Sequence, residues 1–373
     1  MRIGIDAGSM IGDRGGVGWH VYHLLTSLLT LNEDYQLVCY LPSGTQADSV
    51  RDSWECDPRL TWVKTGRLSW KWRGKLDRLD LFHGPNFKIR TEGRHGGVVT
   101  VHDVWLDRHP EYSTKLFGQQ AAFRRARLTA WRARKVITVS DFSAREISAL
   151  YGLPSDRIVT IHNGVSEDFR PVRDDEAMQA LRHRLLLPAG GFLLFVGGAD
   201  PRKNHHVFLK AAAQQMPILN GRTLVLVGDA VHRFGDYRET ARGLGIERHV
   251  FCTGRLPRED LKLLYSYADL FVFPSLYEGF GMPVLEAMAS GAPTITSASS
   301  ALPEVAGDAA LFVDPENAVA LGEAMVRLLC DEQLREKLRA KGLEQVKRYT
   351  WKQAATKTLA LYRELVEKGS NER

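Results

Sequence analysis

The chain has 373 residues, enough for two domains, and its 44% hydrophobic and 25% charged content is that of an ordinary globular protein. No run reaches the roughly 18–20 apolar residues of a membrane span, and the first ten residues, MRIGIDAGSM, lack the pattern of a secretory leader. Four cysteines without a Cys-x-x-Cys pair argue against a disulfide framework or a zinc site, so a cytoplasmic protein is expected.

In chain order, a short apolar strand at residues 2–5 leads into a loop over 6–18 that ends in Gly15-Gly16-Val17-Gly18. Val17, Val21, Leu24, Leu25 and Leu28 then recur at helical spacing. Further β-rich runs at 36–41, 98–101 and 135–139 are each trailed by turn residues and a helical stretch, as in 142–151 after Ser140 and Asp141. Residues 158–171 break into Asn163-Gly164, taken as the exit from the first domain. The pattern restarts with apolar strands at 192–196, 223–227, 250–252, 270–273, 294–296 and 311–313. Strands alternating with helices predict an α/β protein of parallel sheets wrapped by helices. The tail, 332–366, reads as two charged amphipathic helices separated near Tyr349-Thr350-Trp351.

Residues 277–291, YEGFGMPVLEAMASG, set Glu278 and Glu286 eight positions apart. Gly279 and Gly281 permit a tight turn, and Pro283 suits the first helical position. The predicted helix start offers free N–H groups, with Glu278 at the mouth of the turn and Glu286 leaning back toward it. Two carboxylates there repel a bare phosphate but accept hydrogen bonds from sugar hydroxyls. Upstream, FLLFVGGADPRKN runs from a strand through Gly197-Gly198 to Arg202 and Lys203, two cations near the C-terminal end of a strand. Such a pair can hold a diphosphate and stabilise the charge that develops on it.

The segment resembles the Glu-(seven residues)-Glu motif of retaining glycosyltransferase family 4, and the likeness extends through Gly15–Gly18, 101–103, 161–165, 196–204, 251–256 and 302–307. The resemblance implies the GT-B architecture: two facing Rossmann-like domains with parallel sheets and a cleft between them. By it, domain one is 1–163 with a C-terminal helix, 352–373, returning to pack on it, and 164–351 is the nucleotide-sugar donor domain. It assigns Arg202 and Lys203 to the donor diphosphate, Glu278 to the donor-sugar hydroxyls and Glu286 to the ribose. Amides near Phe280, Gly281 and Met282 approach sugar and phosphate, Gly16 lies close to the donor phosphate, and Gly254, Arg255 and Leu256 line the nucleobase pocket, with Gly198 in the donor site. His102, at the end of a strand in VHDVW, lies beside the donor sugar in the family. A lone histidine is more often structural, and Asp103 either orients it or caps a turn. The catalytic set expected is therefore His102, Arg202, Lys203 and Glu278. With no Asp-x-Asp in the chain, no metal and no cofactor are expected, the cations standing where other glycosyltransferases use Mg²⁺ or Mn²⁺.

The run from His102 to Glu111, HDVWLDRHPE, is similar to that of bacterial mannosyltransferases using GDP-mannose, in surface-polysaccharide synthesis. The expected reaction is transfer with retained configuration to a glycan or lipid-diphosphate-linked acceptor. A UDP-sugar donor and a nucleotide-sugar 2-epimerase are the alternatives. The net charge of +6 is uneven: residues 1–163 hold 23 Lys and Arg against 17 Asp and Glu, and seven of the eight tryptophans lie there. Two basic clusters stand out. One, 67–75, interleaves Arg67, Lys71, Arg73 and Lys75 with Trp70 and Trp72; the other, 124–135, carries Arg124, Arg125, Arg127, Arg132, Arg134 and Lys135. They read either as a peripheral contact at the inner face of the membrane or as a solvated face; no nucleic-acid module accompanies them.

Overall fold

The computed structural model describes residues 1–11, 15–43, 57–66, 70–112, 119–233 and 235–371. They form two compact units, Met1–Gly164 with Tyr349–Arg373, and Val165–Arg348. Arg67, at the start of the first basic cluster, lies outside the described residues.

The first unit is built on seven parallel strands: β1 (Arg2–Asp6), β2 (Gln36–Pro42), β3 (Leu60–Thr65), β4 (Leu81–Gly84), β5 (Gly97–Thr100), β6 (Lys135–Thr138) and β7 (Ile158–Thr160). Their order is β3-β2-β1-β4-β5-β6-β7, so the winding reverses between β1 and β4. Ile3, Ile5, Leu37, Val38, Val99 and Val136 are wholly buried, as expected of a sheet covered on both faces. Helix Gly16–Thr30 buries Val21, Leu24, Leu25 and Leu28, while Val17 is only half-buried. Strands β3 and β4 were not apparent from the sequence. The first, LTWVKT, is only partly buried at the sheet edge, and the second, LFHG, is four residues with a histidine third.

The charged tail divides between the units. Helix Glu332–Gln345 and a 3-10 turn, Val346–Arg348, belong to the second; helix Trp351–Asn371 belongs to the first, where it packs along helix Gly16–Thr30. Its Tyr362 is fully buried, with its hydroxyl 2.6 Å from His83 Nδ1 on β4. Trp351 stacks on His23 at 5.2 Å.

The second unit has six parallel strands, β8 (Phe192–Val196), β9 (Thr223–Val227), β12 (Val250–Gly254), β13 (Leu270–Phe273), β14 (Thr294–Ser297) and β15 (Ala310–Val313). They run in the order β12-β9-β8-β13-β14-β15, beside a small antiparallel hairpin of β10 (Val231–His232) and β11 (Gly235–Asp236). Along β8, Phe192 and Leu194 enter the core on one face, Leu193 and Phe195 the core on the other. That alternation is why the strand reads as a continuous apolar run. Both sheets thus have the Rossmann strand order, and each has one reversal point where the loops beyond its strands diverge.

Candidate active site

In the second unit the reversal lies between β8 and β13, and the loops leaving these two strands carry the residues singled out in the sequence. After β8, Arg202 and Lys203 sit on a 3-10 turn, Pro201–Lys203, capped by the Asp200 carboxylate, which accepts the Arg202 amide at 2.9 Å. Asn204 follows with φ of 60° and no exposure; its side-chain amide donates to the carbonyls of Pro274, at 2.9 Å, and Pro315, at 2.7 Å. The Leu276 amide donates to the Arg202 carbonyl at 2.8 Å. These bonds lock the two loops together and bring Lys203 to Glu278.

Lys203 Nζ stands 2.6 Å from Glu278 Oε1, with the two side chains 15% and 8% exposed. Ser275 Oγ lies 2.7 Å from the same oxygen, and the Glu278 amide donates to Ser300 Oγ at 3.0 Å. Burial alone would raise the Glu278 carboxyl, but the Lys203 and Arg202 charges and the bonds from Lys203 and Ser275 outweigh it and hold it below its ordinary value. Burial lowers the Lys203 ammonium, and Glu278 opposes that pull. Arg202 and Lys203 thus stand beside two carboxylates, Asp200 and Glu278, at the reversal point. Lys203 is a cation held by an internal carboxylate.

Helix Met282–Ala289 begins one residue before Pro283, which occupies its second position. Gly281 precedes it with φ of 102°, a conformation that favours glycine, and a Cβ there would displace Leu302 Cδ2, 2.6 Å away. Phe280 is buried beside it. Glu286 accepts a hydrogen bond from the Tyr265 hydroxyl at 3.2 Å. Burial pushes its carboxyl up to about 7, against the opposing pull of Arg258 and Tyr265. Each glutamate is thus engaged by its own neighbours, Glu278 by Lys203 and Ser275, Glu286 by Tyr265. At the far end of the sheet the Gly254 carbonyl accepts the Gly228 amide at 2.9 Å, and Leu256 packs on the core. The Arg255 guanidinium grips Asp229 through Nε, at 3.0 Å, and Nη2, at 2.7 Å, with both side chains more than half exposed. Gly198 sits in the loop after β8, with only the Asp229 carbonyl near where a Cβ would lie, at 3.8 Å.

The first unit holds His102 and Gly16. His102, just beyond β5, is buried, and its Nε2 donates to the Pro85 carbonyl at 2.9 Å, which leaves Nδ1 as the acceptor nitrogen. Asp103 accepts the Trp105 amide at 3.1 Å, the turn-capping arrangement, while its charge also opposes the fall in the His102 pKa that burial causes. Two further histidines, unsuspected from the sequence, join it. His20 meets His102 edge-on at 4.7 Å and donates from Nδ1 to Asn163 Oδ1 at 2.7 Å; His83 lies against Thr100 and Tyr362. Burial is the main cause that lowers all three imidazoles, His83 to about 3. Gly15 and Gly16 open helix Gly16–Thr30 with negative φ at Gly15 and open space where either Cβ would lie. Neither backbone conformation nor packing calls for glycine there.

No helix among the described residues is long and apolar enough to cross a membrane. Residues 14–169 match the model of Glycosyltransferase Family 4, and 182–345 that of Glycosyl transferases group 1. The O-antigen chain mannosyltransferase B of Escherichia coli is 35% identical over 302 residues, covering 80% of this chain and 77% of that protein. The O-antigen chain mannosyltransferase RfbU of Salmonella typhimurium is 30% identical, covering 59% of this chain and 57% of that one. Among solved structures, a sucrose-phosphate synthase from Thermosynechococcus elongatus shares the fold with a TM-score of 0.75 at 21% identity, covering 99% and 100% of the two chains. WaaG, a glycosyltransferase involved in lipopolysaccharide biosynthesis, gives 0.72 at 16% identity, covering 97% and 99%. With both Rossmann-like sheets of the GT-B architecture and this similarity along most of its length, the chain belongs to the family 4, group 1 glycosyltransferases.

Proposed function

We propose that the protein transfers a mannosyl group from GDP-mannose, with retained anomeric configuration, to a hydroxyl of a glycan or lipid-diphosphate-linked acceptor in bacterial surface-polysaccharide synthesis. The observation that carries this reading is the Lys203–Glu278 pair beside Arg202 at the strand-order reversal. A donor diphosphate beyond the strand ends would draw Lys203 Nζ and the Arg202 guanidinium onto its oxygens. Glu278, released from Lys203, would then accept hydrogen bonds from donor-sugar hydroxyls. As the anomeric C–O bond breaks, its electron pair passes to the departing phosphate oxygen, whose charge the two cations stabilise. The acceptor oxygen forms the new bond on the same face and gives its proton to that phosphate. No metal is needed in this scheme, because Arg202 and Lys203 supply the countercharge.

Amides at Phe280, Gly281 and Met282 serve the sugar and phosphate, Glu286 the ribose, and Gly198, Gly254, Arg255 and Leu256 the nucleoside end. The bare backbone at Gly16 suits close approach of a phosphate, and His102 serves the sugar. The mannose assignment draws its support from the named mannosyltransferases above. Thermal-shift measurements with GDP-, UDP- and ADP-sugars, followed by nuclear magnetic resonance of the transferred anomer, test it. Stabilisation by GDP-mannose and an α-linked product are expected. Stabilisation by UDP-sugars alone, or an inverted product, would overturn the donor or the stereochemistry, and epimerisation without an acceptor would overturn the transferase reading.

A further inference from the structure

The two basic clusters, some fifty residues apart in sequence, converge on one cavity of about 930 Å³ within the first unit. Helix Trp70–Leu76 forms one wall, the segment around 89–94 another, and Arg132 of the second cluster closes it. Lys71, Lys75, Arg78 and Arg132 are exposed, and among the described residues no ion pair engages them. Arg90 is spent on Asp6 at 2.6 Å. Among the described residues, Asp80 and Glu92 are the acids lining the cavity, and the Asp80 carboxylate already accepts the Arg2 amide at 2.8 Å.

The helix is held so that its faces sort cleanly. Trp70 is buried against Tyr40 and Phe82, and the Gly74 amide donates to Thr91 Oγ1 at 3.0 Å. A Cβ on Gly74 would come within 1.8 Å of the Glu92 carbonyl, so only glycine lets the helix press this close. With Trp70 and Gly74 inward, Lys71 and Lys75 form the next stripe, and Trp72 and Leu76 the one after, 63% and 69% exposed. A cationic basin beside two large apolar side chains in water is the chemistry of a bilayer interface: cations for lipid phosphates, an indole and a leucine for the acyl boundary. Arg78 has φ of 50°, a conformation that strains arginine and that glycine adopts freely.

We infer that this basin and its Trp72–Leu76 rim form a docking surface for the phosphate headgroups of an anionic bilayer. It is distinct from the donor site and independent of which sugar is transferred. Co-sedimentation of the full chain with phosphatidylcholine vesicles, alone or with phosphatidylglycerol, provides the test. Binding to the mixed vesicles only is expected, weakening as salt is raised. Replacing Lys75 by Ala and Arg78 by Gly together should weaken it about thirtyfold, near fivefold per cation. The Arg78→Gly change relieves the backbone, so the melting temperature and its shift with GDP-mannose should be kept. Trp72→Ala with Leu76→Ala should weaken the binding that persists at high salt. Equal binding to neutral vesicles, or no loss in the Lys75/Arg78 variant, would overturn the inference. So would binding of inorganic diphosphate or RNA at the basin with no vesicle binding.

Discussion

Breaking the Lys203–Glu278 pair from one side should cost the second unit nearly as much as breaking it from both. Replacing Glu278 by Gln keeps the shape but leaves a cation 15% exposed, against Arg202 and without its countercharge. Removal of one partner of a buried pair costs about 3–5 kcal/mol, and the partial exposure of Lys203 places the expectation at about 3. Replacing Lys203 by Met should cost a similar amount by stranding the Glu278 carboxylate. The double variant leaves no unpaired charge, so its loss should fall well below the sum of the two single losses, with a coupling of about 2–3 kcal/mol. All eight tryptophans belong to the first unit, so their fluorescence does not report the event. Hydrogen exchange of the β8 and β13 amides does. The pH adds a signed control. In Glu278→Gln the Lys203 pKa is depressed further, so the folded state binds fewer protons than the unfolded one, and the deficit should shrink as pH rises from 7 toward 9.5. Additive losses in the double variant, or a deficit independent of pH, would refute the coupling.

Glu286, raised to about 7, must be ionised to accept two ribose hydroxyls, so affinity for free nucleoside diphosphate should tighten as pH rises through 7. Calorimetric titration of Glu286→Gln should show weaker binding without that dependence. The buried histidines should destabilise the first unit in acid: with His83 near 3 against about 6.5 when unfolded, stability is retained above 6.5 and lost as pH falls below it, by up to about 2 kcal/mol at pH 5 from His83 alone. Tryptophan-monitored unfolding reads this directly, and a flat profile from pH 7 to 5 would contradict it. Transfer activity should survive EDTA; loss with EDTA and recovery with Mn²⁺ would contradict the cation-based scheme. Arg202→Ala, assayed at saturating donor, should lower turnover about 10²–10³-fold, as for loss of one transition-state stabiliser, and wild-type turnover would count against the diphosphate role.

The strand-turn-helix rhythm, the glycine-proline turn before Glu286 and the Arg202-Lys203 pair were legible because each is a local signal with a fixed spacing. What binds them to one another was not. Asn204, Tyr265 and Ser300 reach their partners across 21 to 111 residues, and no spacing in the chain announces such bonds. Sequence could name Lys203 and Glu278 as ligands of one donor but not as partners of each other. Nor could it gather His20, His83 and His102, which come from one helix and two strand ends. Strand β4 escaped for a different reason: four residues are too few to show a period, and its place is fixed by pairing with β1 and β5.

Helix Trp351–Asn371 belongs to a unit whose sheet is complete by residue 160, and this discontinuity bears on synthesis. Ribosomes add about 5–20 residues per second, so roughly 180 residues of the second unit separate β7 from its helix by some 10–40 s. During that interval helix Gly16–Thr30 lacks its neighbour and His83 lacks Tyr362, while the second unit, continuous in sequence, can close by itself. The nascent chain therefore holds one finished domain and one with an open apolar flank, and that flank is where a chaperone would find it.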